Sequence, residues 1–240
     1  MKKSVAIGVA SVFGLVPLMT SAGASTPTTL TGLSAAQVLN VSLKAASAKH
    51  SATTVGSTKV LGISLSENTT SGPQSGYGFE TVNGHKGEVI YSGGVVYAKF
   101  DTSLINFNYG VTDNSVANKW ISVTKGNKFY ASLSSGITFP SVIQQMHPAG
   151  TLSLTPPTTI NGVPTIGVTG KINASIAPLS GSETLYVSTT APFLPVQVLV
   201  KESQPGVTAN IILTPKNWGV VVSVAAPKTF TPIDKTSLPR

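Results

Sequence analysis

Apolar positions along the chain change period. Within residues 35–48, Val38, Leu39, Leu43 and Ala46 recur at helical steps, and Gln37, Asn40, Lys44 and Ser47 form the polar side. This spacing predicts an amphipathic helix with Ser34 as its N-cap and an apolar face that covers a sheet. From Ser51 the period falls to two. Residues 60–66 alternate, with Leu61, Ile63 and Leu65 on one face. Residues 77–82 set Tyr77, Phe79 and Thr81 on one side, and residues 88–92 and 95–100 flank a tight turn at Gly93 and Gly94. Residues 68–75 and the pair Asn83, Gly84 carry turn-forming types, so about four antiparallel strands are expected after the helix.

The middle is less regular. Residues 101–118 contain LINFNYG, readable as a short helix or as a loop laid over the sheet, and residues 119–123 read as a strand. An apolar stretch over residues 129–146 is broken at Gly136 and Pro140. Proline suits the first turn of a helix, so Pro140 starts one and Pro148 stops it. Strand patterns return at residues 152–155, 163–172, 184–188, 195–201, 207–213 and 220–224. In the second of these, Ile166 and Val168 oppose Thr165, Gly167 and Thr169. One antiparallel sheet of this size must curl, with helical segments from the start and middle filling its concave side. The fold class is α+β, mainly antiparallel β. No repeat or long linker divides it, so residues 33–230 read as a single domain, with a leader at 25–32 and a tail at 231–240.

Composition fits an exported protein. Hydrophobic residues are 41% of the 240, enough for a core, while charged residues are only 10%, against roughly 25% in an average soluble domain. Lys2 and Lys3 precede an apolar run at residues 5–19, and Ala22, Gly23 and Ala24 fit a small-residue cleavage site. This is the pattern of a secretory signal peptide cut after Ala24, and the run is too short to span a bilayer. Cysteine is absent, which excludes disulfides, thiolate metal sites and a lipid carried on a cleavage-site cysteine. The net charge of +8 falls to +6 without Lys2 and Lys3, and the basic residues are scattered, with one arginine, Arg240. Nucleic-acid readers cluster such residues. A diffuse positive field suits weak, transient contact with an anionic membrane or wall polymer, or simple solubility.

Catalytic signatures are missing. The acids form no paired motif, and His50, His85 and His147 are dispersed. There is no HExxH, no G-x-S-x-G elbow, no phosphate loop and no dinucleotide fingerprint. Convergence of dispersed groups in space is the enzymatic alternative. What the chain does supply is inward-facing apolar and aromatic groups, which build either a solid core or an apolar pocket between sheet and helices. The candidates are Leu39 and Leu43 on the helix, and Leu61, Ile63, Tyr77, Phe79, Val89, Tyr91 and Tyr97 on the first strands. Phe107, Phe139, Ile143 and Met146 come from the middle, and Ile166 and Val168 from the later strands.

Order and spacing of motifs add a resemblance. GEVIYSGGVVYAKF is followed by KWISV, then INGVPTIGVTGKI, TLYVSTTAPFLPVQVLV and KNWGVVVSVAAP. Over residues 33–227 this series resembles the LppX/LprG-type proteins of actinobacterial cell envelopes, whose fold is similar to the LolA/LolB carriers. The resemblance implies a strongly curved half-barrel sheet with helices packed in its concave face. It also implies a monomeric, non-enzymatic lipid or glycolipid carrier that shields acyl chains in an apolar cavity. Val89, Tyr91, Val95 and Tyr97 would then be the inward set of the hairpin. Typical members carry a lipobox cysteine where this chain has Ala24 and Ser25, so an untethered carrier is implied, or else a sensor or partner-binding scaffold of the envelope.

Overall fold

The structure, a computed structural model, describes residues 28–60, 62–109, 115–173, 180–204 and 207–233. The proposed signal peptide and cleavage site, Leu61 and the end of the tail lie outside them.

Helix α1 (Ala35–Ser47) starts as its sequence dictates. The Ser34 hydroxyl accepts from the Gln37 N–H, and the Gln37 side chain accepts from the Ser34 N–H, a reciprocal capping box. Five strands follow: β1 (Ala52–Val60), β2 (Ile63–Ser71), β3 (Ser75–Val82), β4 (His85–Ser92) and β5 (Val95–Phe100). The middle holds α2 (Thr102–Tyr109), β6 (Ile121–Val123), α3 (Tyr130–Ser134) and α4 (Phe139–Gln144). Pro140 sits in the first turn of α4. Then come β7 (Ala149–Leu154), β8 (Thr158–Ile160), β9 (Val163–Lys171), β10 (Gly181–Ser188), β11 (Pro195–Gln204), β12 (Val207–Lys216) and β13 (Thr231–Pro232).

These strands form one open sheet in the order β13-β6-β5-β4-β3-β2-β1-β12-β11-β10-β9-β7, with β8 added on β9. Every pairing is antiparallel except β13 with β6. Two apolar clusters lie on one face of it. Under α1 and α4, Val38, Leu39, Val142 and Met146 pack on Val168, Leu185, Val187 and Val198. Near α2 and α3, Leu104, Ile105 and Leu133 pack on Val96, Ala98, Phe100, Ile121 and Val123. Curvature follows from connectivity. Strands β5 and β11 are six steps apart in the sheet, about 29 Å if it were flat. Yet α3, on β5, is joined by residues 135–138 alone to α4, which packs with α1 in the cluster on β9, β10 and β11, a reach of at most about 17 Å. The sheet must bend to bring its wings together.

Several boundaries differ from the sequence reading. Residues 60–66 are not one strand: Val60 pairs with Ile63 across a two-residue turn, where Gly62 takes φ +80°. Ladder pairing continues through Ser71, so the turn expected at 68–75 shrinks to its second half. Residues 220–224 form no ladder. They cross the strand ends as an extended strap, and the hydroxyls of Ser51, Ser75 and Ser92 donate to the carbonyls of Val220, Val222 and Val224 at 2.6, 3.1 and 3.2 Å. Alternate carbonyls of an extended chain point the same way, so all three can face the strand-end hydroxyls. Thr231 and Pro232, read as tail, pair with Ile121 and Ser122.

Candidate ligand groove

Register fixes which side chains face the helices. Tyr91 lies opposite Val96 and Val89 opposite Ala98, because a two-residue turn pairs Ser92 with Val95. Odd positions of β4 therefore share a face with even positions of β5. Following the pairs across the sheet gives one concave row: Val168, Leu185, Val198, Leu213, Gly56, Glu67, Glu80, Gly87, Phe100. A neighbouring row runs Thr54, Thr69, Gly78, Val89, Ala98, Ile121. Both ends of the first row and the β5–β6 end of the second are apolar and lie in the two clusters. Their centre, on β1, β2 and β3, is made of small and polar residues.

Helical packing follows the same division. Helix α1 sits on β7, β9, β10 and β11, α2 on β4 and β5, and α3 on β5. Between these wings the concave floor on β1, β2 and β3 is the candidate groove. Its flanks are the half-buried Ile211 and Leu213 on one side and Ile63, Leu65, Val89 and Tyr91 on the other. One end is closed by the α3–α4 connection, where the Ser71 hydroxyl donates to the Gly136 carbonyl at 3.1 Å. A side chain at Gly76 would run into the Ile137 carbonyl, so only glycine allows that approach.

The centre of the floor holds carboxylates. Glu67 and Glu80 are direct cross-strand neighbours, which sets their Cβ atoms about 5 Å apart. Each leans away from the other over a glycine. A Cβ at Gly56 would meet Glu67 Cγ at 2.5 Å, and one at Gly87 would meet Glu80 Cγ at 3.1 Å. Burial, and then the Glu80 charge, push the Glu67 carboxyl up to about 7. Thr54 is 3% exposed on the same face, one position diagonal to Glu67, and its hydroxyl has no hydrogen-bond partner among the described residues. Farther out, Glu183 is 1% exposed, and burial raises it to about 7 against the lowering effect of a hydrogen bond from the Asn173 backbone.

Several predicted cavity residues belong to the groove or its walls. Ile63, Val89 and Tyr91 face it, and Leu39, Leu43, Met146, Ile166 and Val168 belong to the packed cluster under α1. Phe139 is buried and Ile143 half-buried on or beside α4. Phe107 lies in α2, with its side chain outside the description, as Leu61 is entirely. Three face the other way. Tyr77 and Phe79 are 39% and 52% exposed on the convex face, in an edge-to-face pair at 6.2 Å. Their neighbours Gly76, Gly78, Glu80 and Val82 are the inward set of β3. Tyr97 also faces outward, against Phe230 at 5.1 Å, as does Val95, because the hairpin pairing turns Val96 and Ala98 inward.

Sequence reading passed over Glu67, Glu80, Thr54 and Glu183. A signal was present: Glu67 continues the alternation of Ile63 and Leu65, and Glu183 that of Leu185 and Val187. The same parity sorts charge. The strand lysines Lys59, Lys86, Lys99, Lys171, Lys201 and Lys216 all take convex positions, whereas Glu67, Glu80, Glu183 and Glu202 take concave ones. Glu88 is the convex exception, 3.6 Å from Lys99.

One dispersed pair does converge. His85 Nδ1 lies 2.8 Å from Asp101 Oδ2, beside a recess lined by Val82, Asn83, His85, Ser103 and Leu104. Asp101 also accepts from the Leu104 N–H at 2.8 Å, capping α2. Burial alone would raise this carboxyl, but bonds from the Leu104 N–H, the His85 ring and the Ser103 N–H outweigh it and hold it low. Among the described residues the His85 ring is oriented by Asp101. Among the described residues no three His, Cys, Asp or Glu side chains form a metal-binding group, and no helix is long and apolar enough to cross a membrane.

Lipoprotein LppX of Mycobacterium tuberculosis superposes with a TM-score of 0.53 at 18% identity, covering 80% of this chain and 98% of its own. LprF from Mycobacterium bovis gives 0.48 at 18% identity, covering 80% and 96%. A LolA superfamily protein from Nitrosomonas europaea gives 0.32 at 8% identity, covering 78% and 93%. The chain thus has a fold similar to that of LppX. No protein-family profile matches the sequence, and no curated protein matches it.

Proposed function

We propose that the protein is an exported, non-enzymatic carrier that shelters the acyl chains of a lipid in the groove between its two helical wings. One observation carries this reading: the middle of the concave face is flanked by half-buried Ile63, Leu65, Val89, Ile211 and Leu213, while the helices pack on the wings. Each methylene moved from water onto such a surface contributes about 0.8 kcal/mol, so even part of an acyl chain binds well. The shared fold supports the reading through LppX, which is a lipoprotein. Export follows from the signal-peptide pattern at residues 1–24. Six convex lysines provide the attraction to an anionic membrane or wall, and no nucleic-acid role is inferred.

Native mass spectrometry of the secreted chain, before and after organic extraction, tests this. Lipid-sized adducts lost on extraction are expected. Leu65→Trp, which fills the groove from its flank, should lose them while keeping wild-type circular dichroism. A bare mass that takes up no added lipid would overturn the carrier reading.

A further inference from the structure

Four of the five strand glutamates point into the concave face of a chain that has only eight acids. Acids are normally kept in water, because burying a carboxylate is costly. Nothing in the sheet requires them there: Gly56, Gly78 and Gly87 floor neighbouring positions without charge. One observation independent of the acids marks the same spot as a place for a polar group. The Thr54 hydroxyl is buried there without a partner. Glycines on both sides, at Gly56 and Gly87, leave the room into which the carboxylates lean.

We propose that Glu67 and Glu80 select the groove's ligand by charge, refusing amphiphiles with an ionised acid group and seating those whose polar end is an uncharged hydroxyl against the carboxylates and Thr54. The inference rests on the carrier reading and adds the headgroup to it. An ionised acid brought onto this floor meets like charge at close range, and no strand lysine faces the groove to offset it. A hydroxyl instead donates to a carboxylate oxygen, the stronger kind of hydrogen bond, and accepts from Thr54. Burial and the Glu80 charge raise Glu67 to about 7, and two carboxyls that share a site still hold at least one negative charge between them near neutrality.

Equilibrium dialysis of the secreted chain at about pH 8, where an ordinary carboxyl is ionised, compares two probes of equal chain length, monomyristoylglycerol and myristate. Wild type is expected to bind the glyceride at least about ten-fold tighter, as close like charges repel strongly in a sheltered site. Glu67→Gln with Glu80→Gln should close that gap by gaining myristate, and Glu67→Gln alone should close part of it. Thr54→Val should weaken the glyceride and leave myristate unchanged. Equal affinities in wild type, or a ratio unmoved by the double substitution in folded protein, would overturn charge selection and leave the carrier reading standing. Binding of neither probe would overturn both.

Discussion

Replacing Glu183 with glutamine should change how stability depends on pH, and the size of the change follows from burial. Glu183 stands between Gly170 of β9 and Val200 of β11, 1% exposed, with its Oε1 lacking a partner among the described residues. Its carboxyl moves from an ordinary 4.5 to about 7, chiefly because the charged form is desolvated. Between those values the folded state holds a proton that the unfolded state has released. Stability therefore falls as pH rises from about 4.5 and reaches its full penalty above about 7. At 1.36 kcal/mol per pH unit the penalty is about 3 kcal/mol. Glutamine never ionises, so the variant escapes it.

Urea unfolding at about pH 4.5 and about pH 8.5 measures this directly. Any fixed cost of the buried amide appears at both values and cancels in the difference. Wild type should lose about 3 kcal/mol more than Glu183→Gln between the two conditions. In a chain of this size that corresponds to about 6–12 °C in Tm. Parallel pH profiles for the two proteins would refute the argument, since they would mean that Glu183 is solvated or paired in the folded state.

Other consequences are local. Asp101→Ala removes the cap on α2 and the His85 contact together, and should cost about 1 kcal/mol in urea unfolding, with the larger loss above the acid range where Asp101 is ionised. Gly76→Ala drives a methyl group into the Ile137 carbonyl, so a loss of about 1–3 kcal/mol and a lower Tm are expected. Removing the hydroxyls of Ser51, Ser75 and Ser92 together should free the strap at residues 220–224. Each bond contributes about 1 kcal/mol, and limited proteolysis should then cut within the strap while the sheet survives.

Much of the fold was legible because its signals are local. Ser34 and Gln37 announce α1, Asn83–Gly84 and Gly93–Gly94 close hairpins, and Pro140 opens α4. The strap was misread because residues 220–224 have a strand's composition, while their partners are serine hydroxyls from distant strand ends rather than a neighbouring ladder. β1 was passed over for the opposite reason: its inward residues Ala52, Thr54, Gly56 and Thr58 are small and polar. It is central in the sheet, but beneath a groove rather than a core.

Facing was the harder problem, and one misreading explains several. Aromatic residues at alternate positions look inward by hydrophobicity, which put Tyr77, Phe79 and Tyr97 in the cavity. Pairing decides otherwise. Once Val89 faces the helices, Gly78 and Ala98 must join it and Tyr77, Phe79 and Tyr97 cannot. The same constraint converts a scattered charge list into two opposed surfaces, because a one-residue shift moves a side chain across the sheet. The six strand lysines, which form no run in sequence, all reach the convex face, and four of the five strand glutamates, which form no motif, lie on the concave one. On the carrier reading the two faces then have separate tasks. The outer one draws the protein toward anionic polymer or membrane, and the inner one refuses anionic cargo, so attraction to the surface does not load the groove with the lipids that make that surface negative.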